Sequence, residues 1–477
     1  MFFELFLCGS GRADTMDKEK LICLKIIRMD LPAENQGAGG VIAVDINRDG
    51  NKDFIVTKPG YISCYDSSGE KLWTKQMDIQ VTEKAETFGL PGWHGPGVQV
   101  TDVDEDSQSE ILFLTRDNTL HVLNGENGNI KVKIKLDSPQ GTAGWEHLVI
   151  ANFRGKGDRD LLLQATNSKG YRMGRTVAAY SLPVLMKDKD NAKPLWMRED
   201  FIASAHSGAR VADLDGDGKD EVLGGTIISS EGKILFKIPI KGHIDSISVA
   251  DVRPDIAGLE VIALEEGGAY HIFPNTNRFF KLYNKAFNRF FLGGNHVFLF
   301  NNERLIWKSH YKHWEPQNVA VGDFDTEKPG LEIWCRSRFD THQKPFLLDA
   351  HGKCLFYYKM DEVAPKNWTE KGIEVISTID WTGDSKQLAA AKERHKPGDV
   401  VIFDPKSGEF LLKCKEKADR LYVADVLGDW REELIVVKGN ELHIYQNMEQ
   451  NPNPDRQRLW IQNHYRRSKM TWNYYNP

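Results

Sequence analysis

Histidine recurs at one phase of this sequence. GWHGPG carries His94, GWEHL His147, SAHSGAR His206, GHIDS His243, and HYKHWEP His310 and His313; each segment stands just ahead of an apolar run that ends in an acidic turn. Side chains that share a repeat phase share one end of the repeat unit, so this succession predicts imidazoles gathered around one axis. Imidazole can ligate a transition metal or move a proton near neutral pH. Any one of these histidines alone reads better as a surface or satisfied core residue, and the recurrence is what argues for a cluster. The glycine-rich NSKGYRMGR loop adds Tyr171, Arg172 and Arg175 at the same end, and Arg210 closes SAHSGAR. A guanidinium there could hold a carboxylate bidentately, or stay a solvated loop charge. Trp93, Trp145 and Trp314 stand beside the histidines and suit either sugar stacking or packing between repeats.

The acidic turns carry a second chemistry. ADLDGDGKDEV places Asp213, Asp215 and Asp217 at alternate positions and closes on Glu221, the oxygen set a hard cation takes. It is not an EF-hand, because the twelfth loop position is Gly224 and the flanks GARVA and EVLGG are strand-like. Two more turns keep the set: Asp45, Asn47, Asp49 and Asp53, then Asp102, Asp104, Asp106 and Glu110. All three predict structural calcium, against the alternative of Asx turns that only satisfy backbone amides. In other copies Arg154 or Arg253 stands where a ligand should be, and there the Asx reading is preferred.

These turns belong to a repeat. Asp45, Asp102, Asn152, Asp213, Asp251, Asp323, Asp380 and Asp425 each follow an apolar run and precede another, at spacings of 57, 50, 61, 38, 72, 57 and 45 residues. That is the period of a four-stranded blade with variable loops. The expected fold is all-β, an eight-bladed β-propeller, with seven blades as the alternative. Residues 1–20 are expected to be a leader or disordered segment, and 21–477 a single propeller closed by its terminal segments. The inner strand of a blade spans roughly 17–20 Å, so the histidine-bearing ends lie on the face away from the acidic turns. A further metal in the resulting funnel is possible on this reading.

Composition excludes several classes. The net charge of −6 is dispersed, with no basic run to grip phosphates, so nucleic acid is not an expected partner. No apolar run is long enough for a membrane span. MFFELFLCGSGRAD lacks a basic start and a clear cleavage site. The six cysteines form no CxxC pair, which argues against a zinc site or disulfide framework. A monomer is expected.

At ADVLGDWREEL (424–434) and HYRRSKMTWNYYNP (464–477) the chain resembles β-propeller polysaccharide lyases that cut rhamnose-(1→4)-uronate bonds, the rhamnogalacturonan, ulvan and rhamnosyl-glucuronate lyases. The GDWREE turn and the tail are like the first group; GWHGPG and GYRMGR are more like the other two. The eroded turns and the lack of a long N-terminal region depart from the first. The resemblance implies β-elimination on an acidic rhamnose-containing polysaccharide, in an extracellular or periplasmic location. Elimination across C4 and C5 of a uronate needs its carboxylate neutralised, the C5 proton removed and the departing oxygen protonated. His94, His147, Tyr171 and His206 are the candidate bases and acids, with Arg175 and Arg210 as the neutralising cations. Trp93, Trp145, Arg172, His243, His313 and Trp314 are candidates for binding the sugar. Integrin-like adhesion propellers share such acidic (FG-GAP) repeats, so a non-catalytic glycan-binding propeller is the competing class. A glycoside hydrolase would need two facing carboxylates, for which Glu146 is the one obvious candidate. A quinone-dependent dehydrogenase would need tryptophan-docking repeats, which the sequence is not expected to supply.

Overall fold

The computed structural model describes residues 22–31, 40–58, 60–79, 97–115, 117–168, 173–188, 193–205, 208–267, 294–310, 316–339, 342–365, 375–392 and 398–470. Eight antiparallel sheets follow one another along the chain. Seven are formed from consecutive strands. The eighth takes Arg420–Ala424, Glu433–Lys438 and Glu441–Asn447 from late in the chain and adds Ile22–Arg28 as its outermost strand, in register from Ile22 opposite Asn447 to Arg28 opposite Glu441. That shared sheet closes the ring of an eight-bladed β-propeller.

Each blade begins on its inner strand. These strands are Gly40–Val44, Val98–Thr101, Trp145–Ala151, Arg210–Ala212, His243–Ala250, Pro316–Gly322, Val375–Ile379 and Arg420–Ala424, for blades 1 to 8. Second strands such as DFIVTK, EILFL and DLLLQAT are buried along their whole length, because blades stack on both faces. Their largely apolar middles follow from that, and they lack the alternation of a half-exposed sheet. Outermost strands are more open: KLWTKQ and IKVKIK bring lysines to the edge, which discourages further strand addition.

The acidic turn joins the first two strands of a blade. Its last carboxylate starts the second strand, is buried, and accepts a backbone N–H from inside the turn. Asp53 accepts from Ile46 at 2.9 Å, Glu110 from Val103 at 2.9 Å, Asp160 from Arg154 at 3.0 Å and Glu221 from Leu214 at 3.0 Å. Glu260, Glu332 and Glu433 do the same in blades 5, 6 and 8.

Blades are also keyed to one another through aromatic side chains, contrary to the expectation that docking tryptophans are absent. Trp73, Trp196 and Trp307 on the outermost strands of blades 1, 3 and 5 donate their indole N–H to Gly125, Ser230 and Ala350 of the following blades, at 2.7–2.9 Å. Tyr358 of blade 6 reaches Pro405 of blade 7 in the same way. These contacts escape sequence comparison because their partners are backbone carbonyls. Each ring lies over a hairpin glycine in the left-handed region, Gly128, Gly232, Gly352 or Gly408, where a Cβ would come within 2.6–2.9 Å of the aromatic side chain.

Among the described residues there are three short α-helices, none long and apolar enough to cross a membrane. One of them, Asn463–Met470, lies on the ring axis against the inner strands of blades 4, 5 and 8. Arg467 bridges Asp220 of blade 4 (2.8 Å) and Asp158 of blade 3 (2.5 Å). Tyr465 donates to Glu432 of blade 8 at 2.9 Å, and Lys469 to Ser377 of blade 7 at 3.1 Å. Just before the helix, Arg456 pairs with Asp380 and Arg458 with Asp425. A cavity of about 250 Å³ remains between the helix and the inner strands of blades 5 to 7.

The glycine keys give a direct test. Gly352→Ala must both strain a φ of +79° and displace Trp307, whereas Gly141→Ala, with φ +74° and open space, bears the strain alone. Chemical denaturation should show a loss of about 1 kcal/mol for Gly141→Ala and about 2–4 kcal/mol for Gly352→Ala.

Candidate functional site

The face opposite the acidic turns holds a compact group of titratable side chains on blade 5. His243 begins the inner strand and Glu266 ends the second, and the two are cross-strand partners. A register shift between Ile244 and Ser246 interrupts the ladder at Asp245. The His243 Nε2 lies 2.9 Å from an Asp245 carboxylate oxygen and 3.4 Å from one of Glu266. One ligand atom from each of the three falls within 4.8 Å of the others. Asp245 is fully buried, while His243 keeps about 29% of its side chain exposed.

Burial disfavours the charged imidazole, but the hydrogen bonds to Asp245 and Glu266 outweigh it and raise the His243 pKa. Burial, then the charge of Glu266, pushes the Asp245 carboxyl up. Two carboxylates held this closely are relieved by a proton on one of them or by a positive charge between them, from a protonated imidazole or a bound cation. One nitrogen and two carboxylate oxygens suit a divalent ion, and a cation fits this donor set.

A neighbouring pair buttresses the group. Glu265 accepts the backbone N–H of Gly242 at 2.6 Å and pairs with His296, which fixes the chain just before His243. From the other side Ser204 donates to the Asp245 carbonyl at 3.1 Å, and the Ala205 N–H to that of Ile244 at 2.8 Å. The same short segment begins with Phe201, whose N–H donates to the carbonyl of Arg175 at 3.2 Å. Five residues reach no further than roughly 17 Å, which bounds the distance from the Arg175 backbone to the chain beside the blade 5 group. Arg175 is exposed, and among the described residues its guanidinium makes a long, 3.5 Å contact to the Asp200 carbonyl.

Three other expected site residues are used for packing. His147 is 2% exposed, with its Nε2 2.9 Å from the Ala209 carbonyl. Burial pushes its pKa down to about 4. Gly208, at φ +68°, passes close enough that a Cβ would come within 2.7 Å of the ring. His147 is therefore part of the joint between blades 3 and 4 and does not face open solvent as a base. Trp145 is buried in the blade 2–3 core and donates its indole N–H to Asp137 at 2.8 Å, which leaves no face for a sugar. Arg210 is 4% exposed and donates to the carbonyls of Ile247 (3.1 Å) and Ser468 (3.3 Å), joining the channel wall to the axial helix. His94, Trp93, Tyr171, Arg172, His206, His313 and Trp314 lie outside the described residues.

At the turn face, the ligand atoms of Asp213, Asp215 and Glu221 lie within 4.8 Å of one another, as do those of Asp102, Asp104 and Glu110. Burial, then the like charges of Asp215, Asp217 and Asp213, push Glu221 up to about 8 despite the Leu214 N–H. In blade 1 the Asp53 carboxylate is fully buried beside Asp45 and Asp49, and burial raises its pKa also. Sequence reading did not single out Asp245 or Glu266. The first stands two residues after His243 in GHIDS, and the second in an acidic pair that ends a second strand.

The chain is similar to known proteins. The rhamnogalacturonan lyase family 11 C-terminal domain matches residues 186–275, a segment that contains His243, Asp245 and Glu266. The chain is 24% identical over 461 residues to the rhamnogalacturonan endolyase YesW of Bacillus subtilis, covering 82% of this chain and 64% of that protein. It is also 24% identical over 427 residues to the exolyase YesX of the same organism, covering 78% of this chain and 62% of that one. The crystal structure of YesW superposes with a TM-score of 0.63 at 18% identity, over 94% of this chain and 79% of YesW. The chain thus spans somewhat less than two thirds of the curated relatives it matches. It is similar to rhamnogalacturonan lyases of the β-propeller type, in sequence and in fold.

The buried imidazole makes a pH prediction. The His147 pKa is near 6.5 unfolded and about 4 folded, so the fold favours neutral imidazole. Its contribution is complete above pH 6.5 and is lost as the pH falls toward 4. Melting curves of the wild type should therefore fall over that window, and His147→Gln should flatten the decline by on the order of 2–3 kcal/mol at its acid end.

Proposed function

We propose that the protein is a polysaccharide lyase that cleaves a rhamnose-(1→4)-uronate bond by β-elimination at the face opposite the acidic turns. The observation that carries this reading is the His243, Asp245 and Glu266 group at the funnel end of blade 5, inside the segment that matches the lyase domain. In the reaction the C5 proton of the uronate leaves, a C4–C5 double bond forms, the C4–O bond breaks and the departing oxygen is protonated. A divalent cation held by His243, Asp245 and Glu266 would supply positive charge to the uronate carboxylate. The exposed Arg175 adds a guanidinium suited to that carboxylate. The acid and base belong among the side chains of the same face. A polymeric substrate would be met outside the cell or in the periplasm, and that is the location this reading implies.

Calcium in the turns of blades 1 and 4 belongs to the same proposal, as a structural ion remote from the reaction. The fully buried Asp53 and the raised Glu221 both gain from a cation beside them.

The decisive measurement is ultraviolet absorbance of released unsaturated uronate, with added calcium, on rhamnogalacturonan I, ulvan, and arabinogalactan capped with rhamnosyl-glucuronate. A rise on one of them is expected, falling at least about 100-fold in His243→Ala and Asp245→Asn. Silence on all three from folded protein would discard the lyase reading. Chelation should lower the melting temperature by at least about 2 °C, restored by calcium; an unchanged transition would leave the turns as Asx motifs.

A further inference from the structure

The second-blade turn has the oxygen set of a cation loop, and a side chain of the same blade enters it. Lys131, on the outermost strand Ile130–Lys135, places its Nζ 3.0 Å from Asp104, 2.9 Å from Asp106 and 2.6 Å from Glu110. An ammonium has three N–H donors and no acceptor, and here each donor has its own carboxylate. Glu110 is fully buried and Lys131 is 23% exposed, so the contact is shielded from water on one side.

Comparison of the blades shows that this lysine is an exception. Three residues after the left-handed hairpin glycine, blades 1, 4, 6 and 7 carry Leu72, Leu235, Leu355 and Leu411, counted from Gly69, Gly232, Gly352 and Gly408. The same count from Gly128 gives Lys131. In blade 4, which has the same acidic spacing, Leu235 is exposed and the Asp215 carboxylate receives an Asn302 amide at 3.0 Å. Among the described residues no lysine or arginine forms an ion pair with the acidic side chains of the blade 1 turn or with Asp213, Asp215, Asp217 or Glu221 of blade 4.

We propose that Lys131 is a tethered cation that replaces the divalent ion in the second-blade turn and closes that turn to calcium. The geometry leaves little alternative to exclusion. Asp104 and Glu110, two of the three side chains whose ligand atoms converge in this turn, are held by Nζ, so a metal bound there would lie beside the ammonium, and two cations a few ångströms apart repel strongly in a partly dry site. Calcium would have to expel the lysine from a position where its effective concentration is set by the fold. The turn thereby keeps its shape without metal. This assignment stands apart from the lyase reading and survives its failure.

The test is a count of bound calcium on the full chain, by equilibrium dialysis with atomic absorption, for the wild type, Lys131→Leu, and Asp106→Asn in each background. Lys131→Leu installs the residue found in blades 1, 4, 6 and 7 and should bind one more calcium ion than the wild type. Asp106→Asn should leave the wild-type count unchanged and abolish the extra ion in Lys131→Leu. Added calcium should also raise the melting temperature of Lys131→Leu by more than that of the wild type. A folded Lys131→Leu protein with the wild-type count overturns the proposal. So does loss of one ion on Asp106→Asn in the wild-type background, a measurement that decides the matter even if Lys131→Leu fails to fold.

Discussion

The ring depends on one contact made repeatedly: a buried carboxylate at the start of the second strand accepting a backbone N–H from the turn before it. The turn reverses the chain at the edge of the channel, where its amides would otherwise be buried without partners. A carboxylate can accept more than one such bond at a fixed point, and those bonds offset part of the cost of burying it; the remainder shows as the raised pKa of Glu221, Glu260 and Glu332. This separates two roles that share one sequence pattern. Glu260 and Glu332 close turns whose other acidic positions are incomplete. The acidic repeat is therefore a device for turning the backbone first, and a place for metal only where the remaining ligands agree.

That division explains what the sequence discloses. The blade number follows from anchors such as Asp45 and Asp425, because the turn they mark is local and must recur with each blade. Which end of a strand is open and which is packed is not local. His147 shares the phase of His243, yet one is buried against Ala209 and the other is partly open beside two carboxylates. The difference lies in residues distant in sequence: Gly208 crosses the His147 ring, while Asp245 and Glu266 face His243. The tryptophan keys are hidden for the same reason, since an indole that donates to a carbonyl places no demand on the side chain it meets.

Positive charge at the turn face comes largely from the chain itself. Arg154 pairs with Asp160, Lys406 with Asp325 and Arg458 with Asp425, so several turns carry a cation whose presence does not depend on solution conditions. Such pairs contribute modestly when exposed and more when one partner is buried, as Asp160 and Asp425 are. The sequence shows these as eroded metal sites. In the fold they are the opposite charge supplied by another means.

The axial helix acts on the ring as a hub acts on a wheel. Its cations and its tyrosine reach blades 3, 4, 7 and 8 from one short stretch of chain, like spokes of fixed length. A closed ring tied to its own axis at one end has little freedom to widen or skew there, and rigid inner strands carry that stiffness to the other end. The bore is set from below. Side chains at the mouth can then be exchanged one at a time without renegotiating the diameter of the whole.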